Sequence, residues 1–287
     1  MPFLNKLTIV GIGLLGGSIA AAAKDKGITQ QCVGIDCNAQ HLQYAKQLNL
    51  IDSIGALDAE TLQDTELLIF CTPVSTLPAL IRKALPFLPS TAIISDVGST
   101  KASLVAAIAP ELHLHKAVFI PAHPIAGSQH NGPQAAQANL FENKPILLTP
   151  LDNTPDWALN KLREFWRLLG GNITEGSPQW HDEVFAEISH APHLLSFLAV
   201  DLINKQPEAD KLWALAGNGL RDFTRIGASH PDMWRDISLE NRDAILNSLK
   251  RYRIGLDEMI HQLENNDIEA LYTLFKRAQA ARKKRWD

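Results

Sequence analysis

The sequence predicts an α/β protein with an N-terminal, doubly wound parallel sheet and an all-helical C-terminal domain. In the first half, short apolar runs rich in β-branched residues alternate with segments of helical spacing. Such runs are typical of parallel strands that helices cover on both faces. After about residue 176 the spacing is helical almost to the end, and 287 residues exceed the usual size of one domain. We therefore expect one domain of residues 1–176 and a second, helical domain of residues 177–287.

Each predicted element follows from its own stretch of sequence. The predicted strands are, in chain order, "LTIVGI", "CVGID", "LLIFCTP", "AIISDV", "AVFIPAH" and "PILLTP". The predicted helices between them are "LLGGSIAAAAKDKG", "NAQHLQYAKQL", "TLPALIRKALPFL" and "TKASLVAAIA". The period changes near Gly176, where "GGNITEGS" is interpreted as the connector to the helical domain.

A glycine pattern follows the first predicted strand and opens the first helix. Gly11 suits a tight turn, Gly13 lets the backbone approach a pyrophosphate, and Gly16 lets helix and strand pack closely. Leu14 begins the helix, whose N-terminal N–H groups and dipole favour an anion. This context, strand then glycines then helix, predicts a Rossmann-type dinucleotide site.

The second predicted strand ends in Asp36, twenty residues after Gly16. Its carboxylate is suited to accept hydrogen bonds from the adenosine ribose and would repel a 2′-phosphate, which favours NAD over NADP. Ligands of such sheets bind at the carboxyl ends of the strands. We therefore also expect Thr72 and Pro73, which follow the third strand, among the cofactor contacts.

Two further strand ends carry polar side chains that suit proton transfer. His123 is followed by a proline in "AHPIAGS", and Ser99 lies in "DVGSTK". A histidine fixed near a nicotinamide can accept the proton of an alcohol while a hydride leaves the carbinol carbon. A lone histidine after a strand is also common as a loop residue. Ser99 could orient His123, and it could equally be a helix N-cap.

The helical half contains a histidine pair in "EISHAPHLL". On a regular helix His190 and His193 share a face with Glu187, so a metal site is conceivable. A nicotinamide enzyme with its own base needs no metal, and we favour contacts to an anionic substrate. We expect no metal site.

Three arginines lie in "GLRDFTRIGASHPDMWRDI". The planar guanidinium of arginine binds a carboxylate with two hydrogen bonds, so at least one of Arg221, Arg225 and Arg235 is a candidate substrate ligand. Solvated surface positions remain the alternative for Arg221 and Arg235.

Five motifs occur together in this chain: "GIGLLGGS", "DVGSTK", "HPIAGS", "SHAPHLLSF" and "RDFTRIGASHPDMW". In this order they resemble the prephenate and arogenate dehydrogenase family of tyrosine biosynthesis along essentially the whole chain. The resemblance implies a dinucleotide-binding domain and a helical domain that forms a homodimer. It also implies oxidative decarboxylation of prephenate to 4-hydroxyphenylpyruvate, or of arogenate to tyrosine.

The resemblance implies a role for each matching residue. His123 would accept the hydrogen bond from the ring hydroxyl, Ser99 would bridge His123 and the nicotinamide, and Arg225 would hold a substrate carboxylate. The other substrate-binding residues would be His190, His193, Ser128, Gln129, Asp222, Ser229 and Trp234. Trp234 could come from the same subunit or from its partner.

Two positions depart from the family pattern. Gln129 stands where many relatives carry an acidic residue, and Asn218 replaces a glycine before "RDFTR". Arogenate has an ammonium group that a carboxylate could pair with, whereas prephenate has a keto group there. The neutral amide of Gln129 therefore favours prephenate. The length leaves no room for a fused mutase or a regulatory domain, so tyrosine inhibition, if present, should act at the active site.

Composition excludes several other classes of function. The formal charge of −4 shows no basic excess, so we expect neither nucleic acid nor a membrane surface as partner. The cysteines, Cys32, Cys37 and Cys71, have no metal-type spacing and indicate a reducing, cytoplasmic setting. A non-catalytic dinucleotide sensor or a helical interaction module remains an alternative, but neither explains why His123, Ser99 and Arg225 occur together.

Overall fold

The computed structural model describes residues 1–115, 117–127 and 130–286. The chain forms two compact units, Met1–Arg242 and Asp243–Asp287. The predicted boundary near Gly176 marks the change from strands to helices, whereas the compact units divide at residue 242. The first helices after residue 176 therefore belong to the same unit as the sheets.

A six-stranded parallel sheet forms the centre of the first unit. Its strands are β1 (Leu4–Val10), β2 (Thr29–Ile35), β3 (Ser53–Ile54), β4 (Leu67–Phe70), β5 (Ile93–Asp96) and β6 (Val118–Phe119). Their order is β3-β2-β1-β4-β5-β6, and every neighbouring pair is parallel. The strand order reverses between β1 and β4, so the crevice at their carboxyl ends is where such a sheet binds its ligand. The predicted α/β fold with a parallel sheet is confirmed.

Alternating side chains of the sheet fill two separate cores. In β4, Ile69 belongs to one buried apolar cluster, while Leu68 and Phe70 belong to the other. All three side chains are completely buried. Because successive residues of a strand point to opposite faces, both faces of the sheet are covered. This explains why the sequence shows continuous apolar runs instead of alternation.

A second sheet lies in the same unit and was not predicted. It consists of β7 (Ala122–Pro124), β8 (Pro145–Leu148) and β9 (Asn172–Glu175), with β7 antiparallel to β8 and β8 parallel to β9. The predicted strand "AVFIPAH" is therefore wrong as one strand: it divides at Pro121 into β6 and β7, which belong to different sheets. Proline lacks the N–H that a continuing ladder needs. The predicted connector "GGNITEGS" contains β9.

Six helices accompany the strands. They are α1 (Leu14–Asp25), α2 (Ala39–Gln47), α3 (Ala59–Leu62), α4 (Leu77–Ala84), α5 (Ala102–Leu112) and α6 (Asp156–Leu168). Helix α6 was not predicted, although its apolar residues recur at helical spacing and Ala158, Leu162 and Phe165 are completely buried.

Every described element after β9 is helical, as predicted. The helices are α7 (Pro178–Phe185), α8 (Ala191–Asn204), α9 (Ala209–Ala214), α10 (Asn218–Thr224), α11 (Pro231–Glu240), α12 (Arg242–Glu264) and α13 (Ile268–Trp286). A π-helical turn, Ala186–His190, lies between α7 and α8. Within the described residues, no helix combines the length and apolarity that a membrane span requires.

Candidate active site

The geometry of the turn between β1 and α1 shows why glycines occur there. Gly11 has a φ of +94°, and a Cβ there would lie 2.7 Å from the carbonyl oxygen of Cys71. A Cβ on Gly16 would lie 2.0 Å from the carbonyl oxygen of Gly11. Gly13, in contrast, has no atom within 4 Å of its virtual Cβ and caps α1 without a side-chain hydrogen bond. The space beside Gly13 is thus open, and the first N–H groups of α1, which have no side-chain cap, suit a phosphate.

Asp36 follows β2 directly and lies beside this turn. Its Oδ2 accepts a hydrogen bond from the N–H of Ile12 at 2.7 Å, and its Oδ1 accepts one from the N–H of Asn38 at 2.8 Å. His41 Nδ1 lies 3.8 Å from Oδ2. Each carboxylate oxygen can accept a second hydrogen bond. Backbone groups of the glycine turn thus hold Asp36 in place while leaving acceptor capacity for a ligand hydroxyl.

Two other predicted cofactor contacts lie at the same edge of the sheet. Thr72 follows the end of β4, and its methyl group would be 2.9 Å from a Cβ on Gly11. The Thr72 hydroxyl is 2.9 Å from that of Thr76, and Pro73 immediately follows. Leu14 is the first residue of α1. The structure therefore brings these predicted residues to one crevice.

His123 lies in β7 and bonds to a second histidine. Its Nδ1 is 2.8 Å from Nε2 of His181, and Nδ1 of His181 is 2.7 Å from Oδ1 of Asp182. Both imidazole rings pack against Phe185, with centroid separations of 4.7 Å for His123 and 4.5 Å for His181. We call His123, His181 and Asp182 the histidine chain.

The partners of Asp182 determine where the protons of the histidine chain lie. Its two carboxylate oxygens also accept the N–H groups of Lys101 and Ala102, each at 2.9 Å, so Asp182 acts as an acceptor throughout. His181 must then donate from Nδ1, and its Nε2 accepts from Nδ1 of His123. This assignment follows from the hydrogen-bond network. It leaves the lone pair of His123 on Nε2.

Burial keeps both rings of the histidine chain neutral near pH 7. Burial, the neighbouring His181 and the charge of Lys101 hold the pKa of His123 well below its usual value. Burial also lowers the pKa of His181, although the hydrogen bond to Asp182 acts in the opposite direction. A neutral imidazole with a free Nε2 lone pair is a competent proton acceptor.

A buried ion pair supports the loop before α5. The ammonium group of Lys101 bonds to Oδ2 of Asp96, and both side chains are completely buried. Asp96 also accepts the N–H groups of Gly98 at 2.8 Å and Ala122 at 3.3 Å. Burial lowers the pKa of Lys101, whereas Asp96 opposes that shift. One carboxylate thus ties the loop that carries Ser99 to the first residue of β7.

Ser99 is neither the cap of α5 nor the hydrogen-bond partner of His123. Helix α5 begins at Ala102, and its first N–H groups are capped by Asp182 from α7. The alternative that Ser99 is an N-cap is therefore wrong. In the part of the chain that the structure describes, the Ser99 hydroxyl makes no hydrogen bond, and Nδ1 of His123 bonds to His181 instead.

The π-helical turn places His190 and His193 in different surroundings. His190 is 1% exposed, and its Nδ1 is 3.0 Å from Nδ2 of Asn241. Nδ1 of His193 donates to the carbonyl of Ser189 at 2.8 Å, and its ring stacks on Trp234 with centroids 3.9 Å apart. Both rings nevertheless contact Trp234, with centroid separations of 6.0 Å for His190 and 3.9 Å for His193. Among the described residues, no three or more His, Cys, Asp or Glu side chains are arranged so that they could hold a metal ion.

Arg225 lies in the arginine-rich segment. It is exposed and forms no ion pair with Asp222 or any other described carboxylate. Its charge lowers the pKa of His193, which places it near that ring. Arg235, in contrast, bonds to Asp232 and to Asp236 at 2.9 and 2.7 Å. The structure therefore leaves Arg225 available to a substrate anion, and the exposed Arg221 likewise forms no ion pair with a described carboxylate.

The remaining predicted substrate residues differ in how they are placed. The Ser229 hydroxyl donates to the carbonyl of Ile226 at 2.8 Å. Trp234 is 6% exposed and packs against His193 and Phe197 of its own chain. Ser128 and Gln129 lie outside the described residues.

Sequence reasoning missed five residues of this site: Asp96, Lys101, His181, Asp182 and Asn241. Two of them lie in "DVGSTK", from which only Ser99 was selected. The adjacent polar pair His181 and Asp182 in "WHDEVF" is a signal that could be detected in the sequence. The structure buries both side chains, His181 completely and Asp182 to 5% exposure. Asn241 has no such local signal.

Two family models match the chain. One, described as prephenate dehydrogenase, nucleotide-binding domain, matches residues 19–175, and the other, described as prephenate dehydrogenase, dimerization domain, matches residues 177–277. A cyclohexadienyl dehydrogenase from Zymomonas mobilis is 31% identical over 284 residues, which cover 98% of this chain and 96% of that protein.

Solved structures of the same kind superpose closely. Prephenate dehydrogenase from A. aeolicus, in complex with hydroxyphenyl propionate and NAD+, has a TM-score of 0.91 and 31% identity over 98% of both chains. Arogenate dehydrogenase from Synechocystis has a TM-score of 0.84 and 31% identity over 97% of this chain and 99% of that one. On the strength of both family models and a relative that matches along nearly its full length, the chain belongs to the prephenate dehydrogenase family.

Proposed function

We propose that this protein catalyses the NAD-dependent oxidative decarboxylation of prephenate to 4-hydroxyphenylpyruvate. The observation that carries the proposal is the histidine chain, which puts the hydrogen of His123 on Nδ1 and its lone pair on Nε2. Contacts link this ring to the dinucleotide crevice. Asp96, which accepts the N–H of Ala122, pairs in the sheet with Phe70, and Cys71 touches Gly11.

The dinucleotide crevice fits NAD. The open space at Gly13 and the uncapped start of α1 suit a pyrophosphate, and Asp36 can accept hydrogen bonds from ribose hydroxyls. The related A. aeolicus enzyme was solved with NAD+. When bound, NAD supplies the acceptor for the hydride.

His123 acts on the ring hydroxyl of the substrate. Its Nε2 accepts the hydroxyl proton as the hydride leaves the carbinol carbon for NAD. The bond to the ring carboxylate breaks, carbon dioxide leaves, and its electron pair makes the ring aromatic. The proton returns to the oxygen, which becomes the phenol hydroxyl, so protons and electrons balance. His181 receives a hydrogen bond from Nδ1 of His123 and stabilises the positive charge that forms on the ring.

Arg225 is proposed to bind a substrate carboxylate. It lies near His193 and forms no ion pair with a described residue, so its guanidinium is available to a carboxylate. The neutral Gln129 of the sequence favours the keto group of prephenate over the ammonium group of arogenate. An arogenate dehydrogenase is among the similar structures, so arogenate is the competing substrate.

We further infer that the protein is a homodimer that tyrosine inhibits at the active site. The match to the dimerization domain supports a homodimer. Helices α12 and α13 expose large apolar side chains, among them Ile254, Leu256, Tyr272 and Phe275. Light scattering should therefore give the mass of two chains. Tyrosine should compete with prephenate and not with NAD.

The test measures the absorbance of reduced nicotinamide with prephenate and with arogenate, each with NAD and with NADP. Turnover of prephenate with NAD is expected to have the highest kcat/KM. His123→Asn keeps a donor at the position of Nδ1 but removes Nε2, so kcat should fall by roughly two to four decades while NAD still binds. His113→Asn, at an exposed histidine that ends α5, is the matched control and should turn over normally.

Three results would contradict the proposal in different ways. Unchanged turnover in His123→Asn would make His123 structural. A higher kcat/KM for arogenate would reassign the substrate. Binding of NAD without turnover of either substrate would indicate a dinucleotide sensor.

A further inference from the structure

Asn241 lies between α11 and α12 and is 5% exposed. Its Nδ2 is 2.7 Å from the backbone carbonyl oxygen of Asp182 and 3.0 Å from Nδ1 of His190. One amide group thus joins the backbone of Asp182 in the histidine chain to His190, a residue to which the proposed reaction assigns no role.

These two contacts fix the orientation of the amide. A backbone carbonyl can only accept, so the NH2 group of Asn241, and not its oxygen, must face Asp182. The second hydrogen of that NH2 group then points to Nδ1 of His190, which must accept it. A neutral imidazole with an accepting Nδ1 carries its hydrogen on Nε2. His190 is therefore a hydrogen-bond donor at Nε2.

The environment of His190 favours this neutral form. Burial lowers its pKa to about 4, so the ring is uncharged near pH 7. The ring is close enough to His123 for its charge to affect the pKa of that residue, and the backbone of Ser99 affects the pKa of His190. The two histidines and Ser99 therefore share one neighbourhood.

Although an interaction with the backbone of Ser99 raises the pKa of His190, Nε2 of His190 is buried and has no hydrogen-bond partner within bonding distance among the described residues. The same holds for Nε1 of Trp234, whose ring centroid is 6.0 Å from that of His190. An indole nitrogen only donates. Two buried donors without an acceptor, on neighbouring rings, are costly unless a ligand supplies the acceptors. The fitting ligand group is rich in oxygen acceptors, such as a carboxylate.

We propose that Asn241 is a positioning residue that fixes His190 in the Nε2–H tautomer, so that His190 donates to a substrate oxygen. This rests on the proposed function for the identity of the substrate, but the tautomer itself is a property of the free enzyme. The site then contains two histidines in opposite tautomers. His123 accepts through Nε2, and His190 donates through Nε2.

The direct test is nitrogen NMR of the unliganded enzyme labelled with 15N-histidine, since protonated and unprotonated ring nitrogens resonate far apart. The His190 signals are assigned by their loss in His190→Gln. In the wild type, Nε2 of His190 should be protonated and Nδ1 unprotonated. Asn241→Ala should shift His190 toward the other tautomer. Asn265→Ala is the matched control, because the exposed Asn265 also places Nδ2 3.2 Å from Nδ1 of a histidine, His261. It should leave the His190 signals unchanged.

A kinetic comparison covers the case in which Asn241→Ala does not fold. His190→Gln can still present an amide N–H, whereas His190→Leu cannot. The leucine variant should lose roughly ten- to hundred-fold in kcat/KM for prephenate, the glutamine variant clearly less, and NAD affinity should not change. Equal losses in both variants would overturn the donor role. A wild-type spectrum with Nδ1 of His190 protonated would overturn the role of Asn241. The NMR result does not depend on whether prephenate or arogenate is the better substrate, and the kinetic comparison can be made with whichever of the two the enzyme turns over.

Discussion

Acidification should destabilise this protein through the buried histidines of its active site. The pKa of His190 is lowered from 6.5 to about 4 by burial. Between these values the unfolded chain binds a proton that the folded chain does not, so stability rises with pH in this range. The free energy of unfolding is therefore highest above the unfolded pKa of His190. The part of it that depends on neutral His190 is lost as the pH falls from 6.5 through 4.

The size of the effect follows from the two pKa values. At about pH 5, nearly every unfolded His190 is protonated and few folded ones are, so His190 alone costs about 2 kcal/mol relative to about pH 7.5. Well below pH 4 the cost approaches about 3 kcal/mol. The pKa values of His123 and His181 are also lowered, so they add to the loss in the same direction.

Urea unfolding at both pH values, at one protein concentration, measures this loss. The wild type should lose about 2 kcal/mol more on acidification than His190→Gln, which has no titrating group at this position. His113→Gln replaces an exposed histidine and should lose as much as the wild type. If His190→Gln and the wild type lose the same free energy, folding does not suppress proton uptake by His190, and the reasoning is refuted.

Three substitutions test other parts of the site. Asp36→Ala removes the carboxylate that we expect to bind the ribose and to repel a 2′-phosphate, so the ratio of kcat/KM with NAD to that with NADP should fall; an unchanged ratio would exclude Asp36 from ribose recognition. Arg225→Ala should raise KM for prephenate by roughly one to two decades and leave the Kd of NAD unchanged, and Arg225→Lys should restore only part of the loss. A parallel loss of Tm and NAD affinity would make Arg225 structural instead. Lys101→Met leaves Asp96 buried and unpaired, so urea unfolding should show a loss of about 3 to 5 kcal/mol, and a loss below about 1 kcal/mol would contradict the importance of this ion pair.

The sequence predicts well what depends on neighbours along the chain. The glycine turn, Asp36 and the parallel strands were predicted because each depends on residue type and spacing within a short window. The same local reasoning failed at "AVFIPAH", where the apolar run continues but Pro121 divides it between two sheets. Local rules see the composition of a strand and not the sheet to which it belongs.

The polar network around His123 could not be predicted in this way. Asp182 caps α5 from about 80 residues further along the chain, and Asn241 contacts His190 across 51 residues. Such contacts arise only once the helices after residue 176 pack against the sheets. His123 and His190 could be selected as residues, but which nitrogen of each carries the hydrogen depends on these distant partners.

Asp182 caps α5 from the second half of the chain, so the two halves contribute different parts of the candidate site. Residues 1–176 contain the whole glycine turn and Asp36, so all the groups proposed to hold the dinucleotide belong to that stretch. They do not contain His181 or Asp182, so in their absence the first N–H groups of α5 lose their acceptor and His123 loses the neighbour that selects its tautomer. All the groups proposed to hold the dinucleotide thus lie in the sheet-forming half of the chain, whereas the tautomer of His123, the proposed proton acceptor, depends on α7 from the other half.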